Sequence, residues 1–328
     1  MSDSCCSPQS DRKNIEINNS IERSNHDDYS QAEFEKLEGG WFLMGSEEKY
    51  VFPGDGEGPV RKVYVDEFSI SKYSVTISEF YKFIKETKYV TDAEKFGWSF
   101  VFFEQLNSSD QNESVQNAPW WIKVENANWN LPDGNNVGID NFPDHPVTHI
   151  SWRDAQEYCN WSGTRLPTEA EWESAAQGNY KNAVFPWGDD VNLLNSNANT
   201  WQGNFPIKNE SIDGYEMIAP VKSFPANSIG IFDMVGNVWE ITDDLFNVNY
   251  YSEISTETEL KNLKGASSCY NPSNPYEIQY VMKGGSFLCH DSYCASYRIS
   301  ARMGVSIDSG SDHTGFRTVA TPEMLLNK

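Results

Sequence analysis

Apolar and polar positions alternate along residues 61–75. Val63 and Val65 share one side, and Phe68 and Ile70 continue the pattern, which predicts strands with half-buried faces. At Thr76 the period changes. Thr76 and Glu79 stand at capping-box spacing, and Phe80, Phe83 and Ile84 follow as an apolar stripe, so a helix begins there. Ser151 and Asp154 open a second helix, with Ala155, Tyr158 and the core cysteine Cys159 on one face and Gly163 at its C-terminal cap. "LPTEAEWESAAQG" (166–178) encodes a third. Thr168 and Glu171 cap it, Trp172, Ala175 and Ala176 form its apolar face, and Gly178 closes it.

Between these helices the periodicity fades. Residues 87–144 read as irregular, but their aromatic density predicts packed rather than loose chain. "HPVTHIS" (145–151) reads as a short strand. Pro146 forbids a helix through His145 and His149, and no third ligand stands near them, so packing or hydrogen bonding is their expected role. Beyond Gly178 the chain reads as loops and short strands. A polar insertion-like loop over 246–280 holds Cys269, expected to be exposed or idle. There is no internal repeat, no βαβ alternation and no glycine-rich phosphate loop after a strand, so dinucleotide and P-loop chemistry have no foothold. Residues 1–32 are polar and acidic, which predicts a disordered tail in which Cys5 and Cys6 have no fixed role.

Composition narrows the function classes. A length of 328 residues is, as a prior, two ordinary domains. Hydrophobic residues make up 38% and include 11 Trp, enough for a substantial core. The formal net charge of -23 lacks the clustered cations that nucleic acid or an anionic membrane surface requires, and it favours a soluble, self-repelling protein. No stretch approaches the roughly 18 apolar residues of a membrane span, and the N-terminus has no apolar secretory region. The expected location is therefore cytoplasmic, with thiols kept reduced. Six cysteines are also too few for a disulfide scaffold in a chain this long.

Two constellations remain as candidate chemistry. In "GGSFLCHDSYCASYR" (284–298), four residues separate Cys289 from Cys294. Tetrahedral zinc needs four ligands, and this pair supplies two. Spacing alone ranks a disulfide or idle thiols first, a Cu(I) site second and thiol exchange third. The second constellation is rich in oxygen donors. Asn199 and Asp213 lie in one loop region, and Asp233, Asn237 and Glu240 surround a glycine turn in another. Such loops suit calcium, although Asx turns and solvated acids give the same spacing.

"RLPTEAEWE", "FPWGD", "NTWQGNFP", "GNVWE", "GGSFLCHDSYC" and "TGFR" occur in one order along the chain. In that order they resemble the formylglycine-generating enzymes, or sulfatase-modifying factors, from about Gly39 to Ala320. The resemblance implies an α+β fold of the C-type-lectin-like kind with little regular secondary structure, and one catalytic domain over 33–328 in place of two. It implies a copper-dependent oxidase that uses O2 and a thiol reductant. Its substrate is the cysteine of a C-x-P-x-R motif in an unfolded type I sulfatase, which becomes Cα-formylglycine. By the same resemblance Cys289 and Cys294 hold Cu(I), Ser286 and Trp239 line an oxygen pocket, and Tyr293 lies near the substrate. One structural calcium takes side-chain oxygens from Asn199 and Asp213 and carbonyls from Thr200 and Tyr215. A second takes Asp233 and Glu240, with carbonyls from Gly236 and Val238.

The chain also departs from its resemblance. Ile299 and Thr318 stand where secreted animal members carry bridging cysteines, so those disulfides cannot form, in keeping with a prokaryotic-type cytoplasmic enzyme. "WEITDD" replaces a more aromatic run, and "SIDSGSDHTGFR" is a loose version of the family's serine-rich loop around Ser309. Two other functions share the superfamily. An iron sulfoxide synthase uses a histidine triad and an added helical domain, against five histidines here. A non-catalytic lectin-like binding module would tolerate loss of either cysteine, and both are present.

Overall fold

The three predicted capping boxes all form. The computed structural model describes residues 33–47, 52, 54–106, 114–115, 118–254 and 259–326. In it Thr76 caps the helix Ile77–Thr87, Ser151 caps Trp152–Ser162 and Thr168 caps Glu169–Gln177. In each, the cap hydroxyl accepts the amide three residues on, and that residue's carboxylate accepts the cap's own amide. Two otherwise unpaired donors are thus satisfied by purely local contacts. The apolar stripes face inward: Phe80, Phe83, Ala155, Cys159, Trp172, Ala175 and Ala176 are all buried. The expected tail 1–32, with Cys5 and Cys6, lies outside the described residues.

Long-range order comes from the sheets. One has four strands in the spatial order Arg302–Ser306, Gln279–Lys283, Trp239–Leu245, Thr314–Phe316. Its central strand Trp239–Leu245 pairs antiparallel with Gln279–Lys283 and parallel with Thr314–Phe316, placing Trp239 opposite Thr314. The strands read at 61–70 form as Arg61–Val65 and Phe68–Ser71; the first has the half-buried face expected, whereas all four residues of the second are buried. Phe68–Ser71 lies between Phe34–Leu37 and Val319–Ala320, which ties the two ends of the described chain together. Helix Glu169–Gln177 is pinned to the four-stranded sheet by buried charge. Arg302 clasps Glu169 at 2.9 and 3.0 Å, and Lys283 reaches Glu173 at 2.8 Å. Burial pushes the Glu169 carboxyl up, but Arg302 and Lys283 outweigh it and hold the group at about 2.

Three expectations change. Residues 87–144 are not irregular throughout. They hold a short helix, Asp92–Phe96, with its own Thr91/Glu94 capping box, and a sheet built on Trp98–Phe102 and Ala118–Glu125. Ser99 to Phe102 are all buried, so Trp98–Phe102 shows no polar side from which alternation could be read. Residues 145–151 are not a strand. The Val147 amide donates to the Val75 carbonyl at 2.8 Å, but His149 has φ 60, which turns the chain out of an extended strand. His149 Nδ1 instead meets Ser99 Oγ at 2.9 Å, the hydrogen-bonding role expected of it. Cys269 is half-buried rather than exposed, and its Sγ accepts the Gln279 amide at 3.3 Å.

The result is an α+β architecture of short helices and small sheets. Its largest apolar cluster includes Phe80, Trp172, Trp239, Cys289 and Cys294. A smaller aromatic cluster holds Phe102, Trp121, Trp201, Phe287 and Leu288. The segment 284–297 runs between the two. Among the described residues no helix is long and apolar enough to cross a membrane.

Candidate active site

Strand Gln279–Lys283 ends in two glycines, Gly284 at φ 90 and Gly285 at φ 71. A Cβ on Gly284 would lie 2.8 Å from the Met234 carbonyl oxygen, and one on Gly285 would lie 2.7 Å from that of Ser296. Only glycine lets the chain leave the strand this close to two other backbones. It enters a tight turn at once. The Cys289 amide donates to the Ser286 carbonyl at 3.0 Å, and the Ser286 amide donates to Cys289 Sγ at 3.4 Å. The His290 carbonyl then accepts the amides of Tyr293, Cys294 and Ala295 at 3.1, 3.0 and 3.0 Å, which folds Cys294 back toward Cys289.

Cys289 is 0% exposed and Cys294 5%. Both are thiols, so of the two readings that spacing ranked first together, a disulfide or free thiols, the disulfide does not form. Burial pushes the phenol of Tyr297 up, and the neighbouring Asp291, Cys289 and Cys294 push it further. Among the described residues no group of three or more His, Cys, Asp or Glu side chains gathers as a metal site. The donor set is therefore two soft sulfurs screened from water. That set fits a soft ion of low coordination number, Cu(I), and does not fit tetrahedral zinc.

The other expected residues surround this turn. Ser286 is buried, with Oγ 2.9 Å from His313 Nδ1. The Trp239 amide donates to the His313 carbonyl at 2.8 Å, and its buried indole N–H has no hydrogen-bond partner. Tyr293 packs edge-on against Trp120 at 5.1 Å and stacks on Phe205 at 5.2 Å, and those two rings meet at 5.4 Å. This three-ring wall has no period in the sequence, because its members come from three distant segments. The pattern reading missed Trp120, Phe205 and His313, whose only signal is spatial.

The two oxygen-rich loops meet next to the turn. The Asn237 amide donates to the Asn199 carbonyl at 2.8 Å, that of Phe287 to Asn237 at 3.0 Å, and that of Trp201 to Cys289 at 3.1 Å. Gly236 sits at φ 75, where a Cβ would lie 2.4 Å from the Asn199 carbonyl oxygen. In the first set, Asn199 Nδ2 donates to the Met217 carbonyl at 2.8 Å, which leaves Oδ1 buried without a partner. Asp213 accepts the Thr200 amide at 3.1 Å and the Tyr215 amide at 3.0 Å, and Gln202 Nε2 donates both to its carboxylate, at 2.7 Å, and to the Thr200 carbonyl, so a cation there would displace the Gln202 amide. A buried acceptor lacking a donor fits a hard cation.

The second set fits less well. Glu240 accepts Ser74 Oγ at 2.6 Å, Trp172 Nε1 at 2.7 Å and Arg317 at 2.5 and 2.7 Å. Those four donors fill the acceptor positions of a carboxylate, so a cation reaches Glu240 only by displacing one of them. Asp233 keeps one donor, the Lys222 amide at 2.9 Å, and burial pushes its carboxyl up to about 6. Val238 and Gly236 lie in the same turn, between the two acids.

The chain is similar to known proteins along most of its length. The profile of the Sulfatase-modifying factor enzyme 1-like domain matches residues 22–322. The chain is 43% identical over 290 residues to the formylglycine-generating enzyme of Thermomonospora curvata, covering 87% of this chain and 92% of that one. It is 39% identical over 286 residues to the inactive Cα-formylglycine-generating enzyme 2 of Bos taurus, covering 86% of each. PvdO from Pseudomonas aeruginosa has the same fold, with a TM-score of 0.61 at 22% identity over 87% of this chain and 93% of that one. The C-type-lectin-like, formylglycine-generating-enzyme fold expected from the sequence is the fold observed. From the domain match and the identity along nearly its whole length, the chain belongs to the formylglycine-generating enzyme family of sulfatase-modifying factors.

Proposed function

We propose that this protein is a copper-dependent oxidase that converts the cysteine of a C-x-P-x-R motif in an unfolded type I sulfatase to Cα-formylglycine. The observation that carries this reading is the buried, reduced pair Cys289 and Cys294 in one tight turn beside Ser286. Bound there, Cu(I) supplies a soft centre that takes thiolate ligands and passes single electrons to O2.

The chain's own residues do the rest. Cys289 and Cys294 hold the ion away from water, and the glycine pair fixes the turn that presents them. The Tyr293, Trp120 and Phe205 rings offer a face for an extended peptide. A net charge of -23 draws in the arginine of the motif. The unpartnered Trp239 indole N–H is a donor for incoming oxygen. Electron balance calls for a reductant. Turning CH2–SH into CHO and H2S takes two electrons from carbon, and reducing O2 to the aldehyde oxygen and water takes four. Two thiols supply the difference and leave as a disulfide.

Calcium enters the same reading as a structural ion. Asn199, Thr200, Asp213 and Tyr215 form the better-supported site, because Asn199 Oδ1 is buried without a partner. At the second site Asp233 and the carbonyls of Gly236 and Val238 remain as candidates. Ile299 and Thr318, in place of bridging cysteines, support a reducing cytoplasmic setting.

The test is a synthetic C-x-P-x-R peptide incubated with copper-loaded protein, O2 and thiol, then read by hydrazide capture and mass spectrometry. An aldehyde product that Cys289→Ala and Cys294→Ala abolish is expected. No aldehyde from copper-loaded wild-type protein overturns the reading.

A further inference from the structure

Ser286 and Trp239, assigned above to the oxygen side of the site, are both held by one residue, His313. Its backbone carbonyl takes the Trp239 amide at 2.8 Å, and its ring Nδ1 lies 2.9 Å from Ser286 Oγ. The ring is fully buried and meets the Trp121 indole edge-on at 4.7 Å. The next residue, Thr314, pairs with Trp239 in the sheet, which fixes the His313 backbone as well. Reorienting the imidazole would mean repacking the smaller aromatic cluster, which includes Trp121.

The serine hydroxyl has two lone pairs and one proton. The Leu288 amide donates to Oγ at 3.3 Å and occupies one lone pair. If His313 carries its ring proton on Nδ1, it occupies the other, and the hydroxyl proton is left for a third partner. If Nδ1 is bare, Ser286 gives its proton to His313 and turns a lone pair toward the site. Oxygen gaining electrons is an acceptor, stabilised by donors already aimed at it and repelled by a lone pair. The indole N–H of Trp239, buried with no partner, is one such donor.

We propose that His313 is a positioning residue for the oxidation, its Nδ1–H donating to Ser286 Oγ so that the Ser286 hydroxyl proton is directed at the oxygen substrate beside Cys289. The role rests on the oxidase reading above, since it assigns the serine a proton that only an acceptor in the site would use.

Two measurements test it. The first needs no turnover. A multiple-bond 1H–15N spectrum of the full-length protein at neutral pH reports the tautomer of each imidazole, with His313 assigned by its loss in His313→Asn. The Nδ1–H tautomer is expected, with its Nδ1 signal shifted in Ser286→Ala. The second is a double-mutant cycle on the C-x-P-x-R peptide. His313→Phe keeps the ring volume and removes the hydrogen bond. It is expected to lower kcat at least about tenfold, as Ser286→Ala does, with peptide KM within about twofold. Added to Ser286→Ala, it should cost nothing more. His313→Asn places an amide nitrogen near the former Nδ1 and should restore most of kcat. An Nε2–H tautomer overturns the inference, as does a His313→Phe loss that adds in full to that of Ser286→Ala. Wild-type protein that forms no aldehyde overturns the oxidase reading, whereas the wrong tautomer in an active enzyme overturns this inference alone.

Discussion

Glu240 tests how the site is braced. It follows Trp239 in the central strand, and its carboxylate receives Arg317 through Nε at 2.5 Å and Nη2 at 2.7 Å, with Ser74 and Trp172 as further donors. Arg317 is itself fully buried, and its other partners are the carbonyls of Ser71, Phe232 and Asp233 at 3.2, 3.0 and 3.3 Å. In Glu240→Gln the side chain keeps its shape and loses its charge. Whichever way the amide turns, its NH2 faces an Arg317 N–H, so one buried contact becomes donor against donor. The guanidinium loses its hydrogen-bonded counter-charge, and the Asp233 carboxyl is the acid left near it. Breaking a buried pair in this way costs about 3–5 kcal/mol. For a chain of this size that lowers Tm by roughly 4–7 °C. Thermal unfolding followed by circular dichroism, with calcium and with a chelator, gives the answer. The expected loss in Glu240→Gln is the same in both buffers. A Tm within about 2 °C of wild type refutes the reasoning. So does a Glu240→Gln loss that appears with calcium and vanishes in chelator, because Glu240 would then serve calcium rather than Arg317.

Three further outcomes follow from other parts of the molecule. Calcium added to chelator-stripped protein should raise Tm, by about 2.7 kcal/mol of stability at a hundredfold excess over Kd, and Asn199→Ala should lose that gain; an equal gain in the variant removes Asn199 from the site. Gly285→Ala, which drives a Cβ to 2.7 Å from the Ser296 carbonyl at φ 71, should cut aldehyde formation while leaving far-ultraviolet circular dichroism unchanged, and full activity would show the turn to be more pliable than described. Burial pushes Asp312 from 3.8 up to about 8, so the fold keeps a proton that the unfolded chain has released. Stability therefore falls as pH rises from about 4 to about 8. Asp312→Asn should flatten that fall in urea midpoints, leaving the parts due to Asp154 and Asp244, which burial raises to about 7 and about 8. An unchanged slope in the variant would refute the assignment.

What the sequence made legible was local. A capping box needs four consecutive residues, so the starts at Thr76, Ser151 and Thr168 could be read directly, and the apolar stripes gave the buried faces. Pairing of Trp239–Leu245 with Gln279–Lys283 and Thr314–Phe316 could not be read, because no residue near 239 encodes which distant segment lies beside it. Trp98–Phe102 was hidden for a different reason: with almost every residue buried, it shows no alternation. At the site, Cys289 and Cys294 stood out by residue type and by the company of the glycine pair. Spacing alone left a disulfide or idle thiols ahead of Cu(I), the family resemblance reversed that order, and the fold places both cysteines, reduced, in the core. His313 went unnoticed because its link to Ser286 spans 27 residues and exists only in three dimensions.

The central claim is that Cys289 and Cys294 together hold one soft metal ion. Anaerobic titration of the reduced protein with Cu(I), against a coloured Cu(I) chelator, measures this directly. The account predicts one ion per chain, bound tightly enough to strip the chelator, lost in Cys289→Ala and in Cys294→Ala and retained in Cys269→Ala. Wild-type protein that leaves the copper on the chelator, or binding that survives removal of either site cysteine, contradicts it.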